Sequence, residues 1–304
     1  MTLGGFLLLC LLWAADSLRA DLFSPAADAL PPLERQALQF AVPAIAATLT
    51  AVLRKAGWPR GRQLVQCILA SLGLFVVPAL LVHFSREWIS ELTRVALFSL
   101  VPVFALIFEP YIGRGSEALS ESRLVAALVA MAGTLCVFPV EMPGSIASGG
   151  AFCAVIAAAA CIGAANSGAV VLAADLPGGS LAAMAAIMCG AGAAGFALAS
   201  AVTEHAIWSW NVAGPGLVWS AAVEWPSLLL LFWLMHRMSA VQMTTRFLLA
   251  PLIANLISLI LLRPTVNLRA ALGLLLIASG TGWLLFKRES EEEHDSVPPA
   301  LHLR

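Results

Sequence analysis

Uninterrupted apolar stretches of about 20 residues recur along the whole chain, and a helix of that length crosses the roughly 30 Å hydrocarbon core of a bilayer. Each stretch is bounded by charged residues or by clusters of proline and glycine. Ten can be counted, near residues 3–22, 33–53, 63–84, 91–112, 122–140, 149–172, 180–203, 211–235, 240–262 and 268–286. The sequence therefore predicts an all-α polytopic membrane protein with ten transmembrane helices.

Composition agrees with this prediction and excludes several other classes. Of the 304 residues, 60% are hydrophobic and 12% are charged, whereas a soluble domain usually carries about 25% charged residues. The sequence has no basic stripe of the kind that indicates a nucleic-acid partner. The sequence contains no phosphate-binding glycine loop, no nucleophile elbow and no metal-ligand spacing. We therefore expect neither an enzyme nor a bound cofactor or metal.

The orientation follows from the positions of lysine and arginine, which concentrate in cytoplasmic loops. With both termini in the cytoplasm, the inner loops hold more of these residues than the outer loops, chiefly because of the segment 54–62. The basic residues are mostly arginine, which is typical of a GC-rich bacterial source. We expect a multi-pass protein of a bacterial inner membrane, oriented N-in and C-in.

The two halves of the chain repeat one another at an offset of about 150 residues. The segment AADS at 14–17 matches AANS at 164–167, and PVFALIF from Pro102 matches PLIANLI from Pro251. The segment AALVAMAG at 126–133 matches GLLLIASG at 273–280. We predict one five-helix repeat over 1–146, a second over 147–288, and a disordered cytoplasmic tail over 289–304.

A repeat with an odd number of helices enters the membrane upside-down the second time. Inverted repeats are typical of secondary transporters, in which the substrate site lies between the repeats near the middle of the membrane. A duplicated structural bundle that carries no substrate is the alternative.

The segment LLWAADS at 11–17 resembles the first-helix pattern of EamA-like members of the drug/metabolite transporter superfamily, and 251–283 resembles their ninth and tenth helices. The resemblance extends over 1–288 in the number of helices and in loop length. It implies ten helices in two inverted halves, a central cavity and the movement of small metabolites, often outward. Arg114 and Arg263 stand in the turns where the family commonly has an acidic residue.

Glu224 lies near the centre of the eighth predicted helix. An ionisable group inside a membrane is costly unless it faces a cavity or a partner. Glu224 is therefore a candidate for binding a proton or a cationic part of a substrate. A structural pair buried between helices is the alternative.

Asp16 lies in the outer half of the first helix, with Trp13 and Arg19 on the same face. One interpretation pairs Asp16 with Arg19 at the interface and assigns Trp13 to an aromatic belt. In the other, Asp16 faces its repeat counterpart Asn166 across a pseudo-two-fold axis. Asn166 is also suited to joining helices by a hydrogen bond.

Arg246 lies about two turns into the ninth helix. Its side chain could extend to the cytoplasmic surface, pair with Glu224 or bind an anionic substrate. Asn255 follows nine residues later on the opposite side of the helix, so the two are not expected to line one narrow site. We assign the face of Pro251 and Asn255 to the cavity.

The candidate substrate-binding residues are Glu224, Asp16, Asn166, Asn255, Trp13 and Arg246. We predict a secondary transporter that exports or exchanges a small polar or amphipathic metabolite by alternating access. The alternative is a non-transporting accessory or scaffold protein. The expected partners are a small-molecule substrate, the lipid bilayer and a coupled proton, and a homodimer is left open.

Overall fold

The computed structural model describes residues 2–18, 30–113, 120–176, 180–204, 218–262 and 267–286. The regular secondary structure of these residues is helical, with no strand among them. Arg19, Arg114, Arg263 and the tail 289–304 lie outside the described residues.

The helices follow the predicted apolar stretches within a few residues at most ends. They are α1 (Thr2–Ser17), α2 (Pro32–Leu53), α3 (Arg62–Ser85), α4 (Glu91–Phe98 continuing as Val101–Ile112), α5 (Glu121–Val137), α6 (Ile146–Asp175), α7 (Leu181–Thr203), α8 (Ser220–Met235), α9 (Ala240–Thr244 continuing as Arg246–Leu262) and α10 (Leu268–Phe286).

Seven of these helices are long and apolar enough to cross a membrane. The all-α, multi-pass character predicted from the sequence is therefore confirmed. Helices α1, α5 and α8 are shorter in the described part of the chain, with 16 residues in α1 and 17 in α5. That these three also cross the membrane stays a prediction.

Helices α3 and α8 share an irregularity, which lies near the middle of α3 and at the start of the described part of α8. Each contains a five-residue π-helical turn, Leu72–Val76 in α3 and Ser220–Glu224 in α8, and a proline stands two residues after the end of each turn, at Pro78 or Pro226. Proline lacks an N–H and its ring clashes with the carbonyl four residues back. The wider π turn lets the helix continue past the proline.

Helices α4 and α9 also share an irregularity, which lies near their starts. Each begins at a serine N-cap, Ser90 or Ser239, whose hydroxyl accepts a hydrogen bond from the backbone N–H three residues later. A short first segment then breaks, and a longer second segment carries a proline, Pro102 or Pro251. The breaks place the second segments where they contact α6 in one half and α1 in the other.

The start of α2 is held by a carboxylate from α7. Glu204, directly after α7, accepts hydrogen bonds from the backbone N–H groups of Leu33 and Glu34 at 3.1–3.3 Å. These groups have no partner within their own helix, and a negative charge at a helix N-terminus is favourable. The extensive packing of α2 against α7 is thus fixed at one end by this cap.

Helices α5 and α10 pack closely through the small residues of the repeat-related segments. A Cβ atom added to Gly133 would lie 2.7 Å from the carbonyl oxygen of Gly273. One added to Gly280 would lie 2.6 Å from the carbonyl oxygen of Ala126 and 2.7 Å from the backbone nitrogen of Ala130. In a membrane, where hydrophobic burial between helices is weak, such close backbone approach is a main source of helix association.

The substitution Gly280→Ala is expected to destabilise the protein by about 1–3 kcal/mol, because the added methyl group meets backbone atoms that cannot move independently. Gly282→Ala is the matched control on the same helix, since a Cβ there meets nothing within 4 Å. Thermal unfolding of the two purified variants in the same detergent measures the difference. Equal melting temperatures would contradict the close approach of α5 and α10.

Candidate functional site

Two adjacent cavities lie between the helices, with volumes of about 410 and 590 Å³. These volumes are within the range of small-molecule binding sites in proteins. The first is bounded by α1 to α4 and by α6 to α9, and the second by α1, α4 and α9 together with the residue that ends α5. Both cavities therefore contain residues from the two halves of the chain.

Five residues line both cavities and form what we call the shared wall: Trp13, Ser17, Phe98, Arg246 and Phe247. The ring of Phe247 packs edge-on against Trp13 at 5.5 Å and stacks on Phe98 at 6.0 Å, measured between centroids. The guanidinium carbon of Arg246 lies 5.1 Å from the centre of the Trp13 ring and 4.8 Å from that of Phe247. The shared wall is thus an aromatic cluster built around one cation.

Arg246 is buried, with 1% of its surface exposed. The alternative in which its side chain extends to the membrane surface is therefore wrong. Its Nη1 donates to the Met243 carbonyl at 2.7 Å and to Oδ1 of Asn166 at 3.3 Å. Among the described residues no carboxylate forms an ion pair with Arg246, so the pairing with Glu224 is not made.

Asn166 is fully buried in α6, behind the shared wall. Its Nδ2 donates to the Ala240 carbonyl at 2.9 Å at the start of α9, while its Oδ1 accepts from Arg246. One side chain thus joins α6 to α9 and orients the arginine. Asn166 does not line either cavity, and its described contacts do not include Asp16.

Glu224 ends the π turn of α8, is 2% exposed and lines the first cavity. The Ser220 hydroxyl donates a hydrogen bond to its Oε2. Ser220 is at the other end of the same π turn, four residues before Glu224, so the two side chains are neighbours on one helix. The hydrogen bond to the carboxylate is therefore local to α8.

Asp16 lines the first cavity and accepts a hydrogen bond from Nε1 of Trp219 at 2.8 Å. Trp219 directly precedes the π turn, so this bond joins the end of α1 to the start of α8. The alternative pairing of Asp16 with Arg19 falls outside the described residues. Trp13, one turn before Asp16, lines both cavities.

Asn255 and Pro251 line the second cavity, and Nδ2 of Asn255 donates to the Pro251 carbonyl at 2.8 Å. Arg246 lines the same cavity, so the expectation that Arg246 and Asn255 could not share a site is wrong. The arginine side chain folds back onto the turn before its helix segment, where it reaches the Met243 carbonyl. Its position on the helical wheel therefore does not locate its guanidinium.

Sequence reasoning found Trp13 but missed the phenylalanine residues that shape the site. Phe247, Phe98, Phe40, Phe75 and Phe196 line one or both cavities. Phenylalanine in a membrane helix gives no signal that distinguishes a cavity from a lipid contact. Ser220 could have been found, because it lies four residues before Glu224 on a helix.

No protein-family model matches the sequence, and no curated protein matches it significantly. The fold is shared with solved structures: a protein of known crystal structure superposes with a TM-score of 0.71 over 93% of this chain and 95% of that chain, at 16% sequence identity. Such a likeness establishes the fold alone. The fold and the apolar helices define an α-helical polytopic membrane protein.

Asn166→Ala is expected to destabilise the protein by about 1–3 kcal/mol, because it removes a buried donor from the Ala240 carbonyl and an acceptor from Arg246. Asn255→Ala is the matched control, since Asn255 bonds only to its own helix, at Pro251. Thermal unfolding in one detergent compares them. A loss no greater for Asn166→Ala than for Asn255→Ala would contradict the joining role of Asn166.

Proposed function

We propose that the protein is a secondary transporter of a small polar or amphipathic metabolite, and a divergent EamA-like member of the drug/metabolite transporter superfamily. The observation that carries the proposal is the pair of cavities at the centre of the bundle, lined by charged and aromatic side chains from both halves of the chain. A structural bundle has no need of buried charges around open space, because each such charge costs free energy. A transported substrate that binds to these charges would explain why they are there.

The matched irregularities of the two halves support inverted repeats. The π turn and proline of α3 recur in α8, and the serine cap, break and proline of α4 recur in α9. Broken helices at corresponding positions of two repeats are typical of transporter sites. Local disruption is tolerated at membrane depth where it lines a cavity, and both π turns contribute cavity residues, among them Leu74 and Glu224.

The cavities extend towards one side of the bundle, which supports a transporter held in one of two states. Their lining includes residues from the ends of α1 and α3 and from the starts of α2 and α4, such as Ser17, Val82, Gln36 and Glu91. In the N-in orientation that the sequence predicts, these ends would lie at the outer face. We therefore interpret the conformation as outward-facing, with alternating access requiring a second conformation that exposes the cavities to the cytoplasm.

Glu224 is the proposed proton carrier. Its carboxylate lines the first cavity, where it can exchange a proton with cavity water, and the Ser220 hydroxyl can accept as well as donate a hydrogen bond. Protonation of Glu224 therefore need not disrupt its local contact. No enzymatic step and no cofactor enter this mechanism.

A single cysteine in the cavity tests alternating access without knowledge of the substrate. Ala250 lines the second cavity about 15 Å from the start of α9, near the middle of the membrane. In a background without the six native cysteines, we expect Ala250→Cys to react with a membrane-impermeant maleimide added to either side of the membrane. Right-side-out and inside-out vesicles provide the two measurements.

Leu275→Cys is the matched control, because Leu275 is also near the middle of its helix but is 67% exposed on the surface of the bundle, which lipid would cover in a membrane. It should be labelled from neither side. Labelling of Ala250→Cys from one side only would overturn alternating access and favour the accessory or scaffold protein.

Proton coupling is tested with Glu224→Gln, which keeps an oxygen that can accept the bond from Ser220 but cannot ionise. We expect this variant to bind substrate yet to lose proton-driven flux in proteoliposomes, measured as acidification with an internal pH dye across a panel of metabolites. Glu121→Gln, at the exposed start of α5, should leave the flux unchanged. Undiminished flux in Glu224→Gln would remove Glu224 from the coupling mechanism.

A further inference from the structure

Arg246 is a buried cation of the cavity lining that forms no ion pair with a carboxylate among the described residues. Of its guanidinium nitrogens, only Nη1 forms hydrogen bonds within the described residues. Nε is buried and has no hydrogen-bond partner there, and Nη2 likewise donates to no described residue. A buried cation in this state is strongly unfavourable unless an anion neutralises it.

The unused donors have a defined geometry. Nε–H and Nη2–H point the same way from one edge of the planar guanidinium, and that edge matches the two oxygens of a carboxylate. The opposite side is fixed by Asn166 and the Met243 carbonyl, and the rings of Trp13 and Phe247 crowd the group. An incoming anion would therefore meet a positioned edge, on a side chain that already lines both cavities.

The charges around the cavities favour an anion with a single negative charge. Asp16 and Glu224 line the first cavity and Glu91 lines the second, so a dianion such as a phosphate ester would be repelled by three carboxylates. Among the described lining residues the other cation is Arg35, which is engaged in other contacts. One unpaired guanidinium neutralises one carboxylate.

The walls next to Arg246 favour an apolar, flat body attached to that carboxylate. The shared wall presents Trp13, Phe98 and Phe247, and the second cavity continues along Ala250, Pro251 and Ala254. Aromatic rings bind other rings edge-on or in offset stacks. A substrate with a carboxylate at one end and a ring at the other fits both features.

We propose that Arg246 is the anion-binding residue of the cavities, and that the cargo is an amphipathic monocarboxylate whose ring packs against Trp13 and Phe247. This rests on the proposed transport function for its biological meaning. The binding site itself stands on the unpaired guanidinium edge and the aromatic wall.

Binding to the purified full-length protein tests the proposal with three probes: phenylacetate, its neutral analogue phenylacetamide, and acetate. We expect phenylacetate to bind at least about tenfold more tightly than either of the others, because only it satisfies both the cation and the aromatic wall. Titration calorimetry and ligand-induced shifts in melting temperature supply the measurements. Equal affinity for phenylacetate and phenylacetamide, or no binding of phenylacetate at millimolar concentration, overturns the proposal.

Two substitutions assign the preference to this side chain. Arg246→Met should bind phenylacetate and phenylacetamide equally, and Arg246→Lys should retain part of the preference. Arg237→Met is the matched control, because Arg237 also lies over a tryptophan ring, 4.5 Å from the centroid of Trp233, but outside both cavities. A preference that survives in folded Arg246→Met overturns the assignment, and if Arg246→Met fails to fold, the wild-type comparison of the three probes decides.

The outcomes separate this inference from the proposed function. If the protein prefers the carboxylate but Ala250→Cys is labelled from one side only, the anion site is supported and transport is not. If Ala250→Cys is labelled from both sides but the protein does not prefer the carboxylate, the protein transports another class of substrate and the anion site is overturned.

Discussion

The architecture depends on one buried contact, in which Asn166 holds Arg246 in place. Its amide accepts from the guanidinium and donates to the Ala240 carbonyl, so one side chain joins α6 to both segments of α9. Each group is costly to bury alone, and together they satisfy part of one another's hydrogen bonding. The contact fixes the cation in the wall between two cavities, and the aromatic side chains of α1, α4 and α9 assemble around it.

Four of the helices that line the cavities depart from regular α-helical geometry, whereas others pack tightly. Glycines allow α5 and α10 to approach at backbone distance, and Glu204 caps α2 where it packs on α7. Helices α3, α4, α8 and α9 contain the breaks and π turns, and these helices supply most of the cavity lining. The irregular helices therefore supply cavity residues, whereas the closest helix packing is between helices without such breaks.

Much of the fold was predictable, because lipid imposes a strong rule: every backbone polar group must be satisfied within a helix. The predicted range 91–112 coincides with α4, and 268–286 coincides with α10. The first helix ends at Ser17, whereas the predicted stretch ended near residue 22. A run of apolar residues does not show where the hydrogen bonding of a helix stops. Glu224 and Asp16 were identified because an ionisable residue in an apolar stretch is costly unless it has a function or a partner. Phe98 and Phe247 are apolar, so the sequence did not distinguish them from other core or lipid-facing residues.

The sequence by itself determined the class of protein, the approximate helix ends and the presence of six polar or aromatic candidates, because these follow from local hydropathy and composition. It could not decide what those residues contact. Whether Arg246 reached the surface, paired with Glu224 or lay in a cavity depended on side-chain direction and on residues far away in the chain. Only the tertiary structure placed its guanidinium between Trp13, Phe247 and Asn166, because packing between distant helices, unlike helix formation, is not encoded in any local pattern.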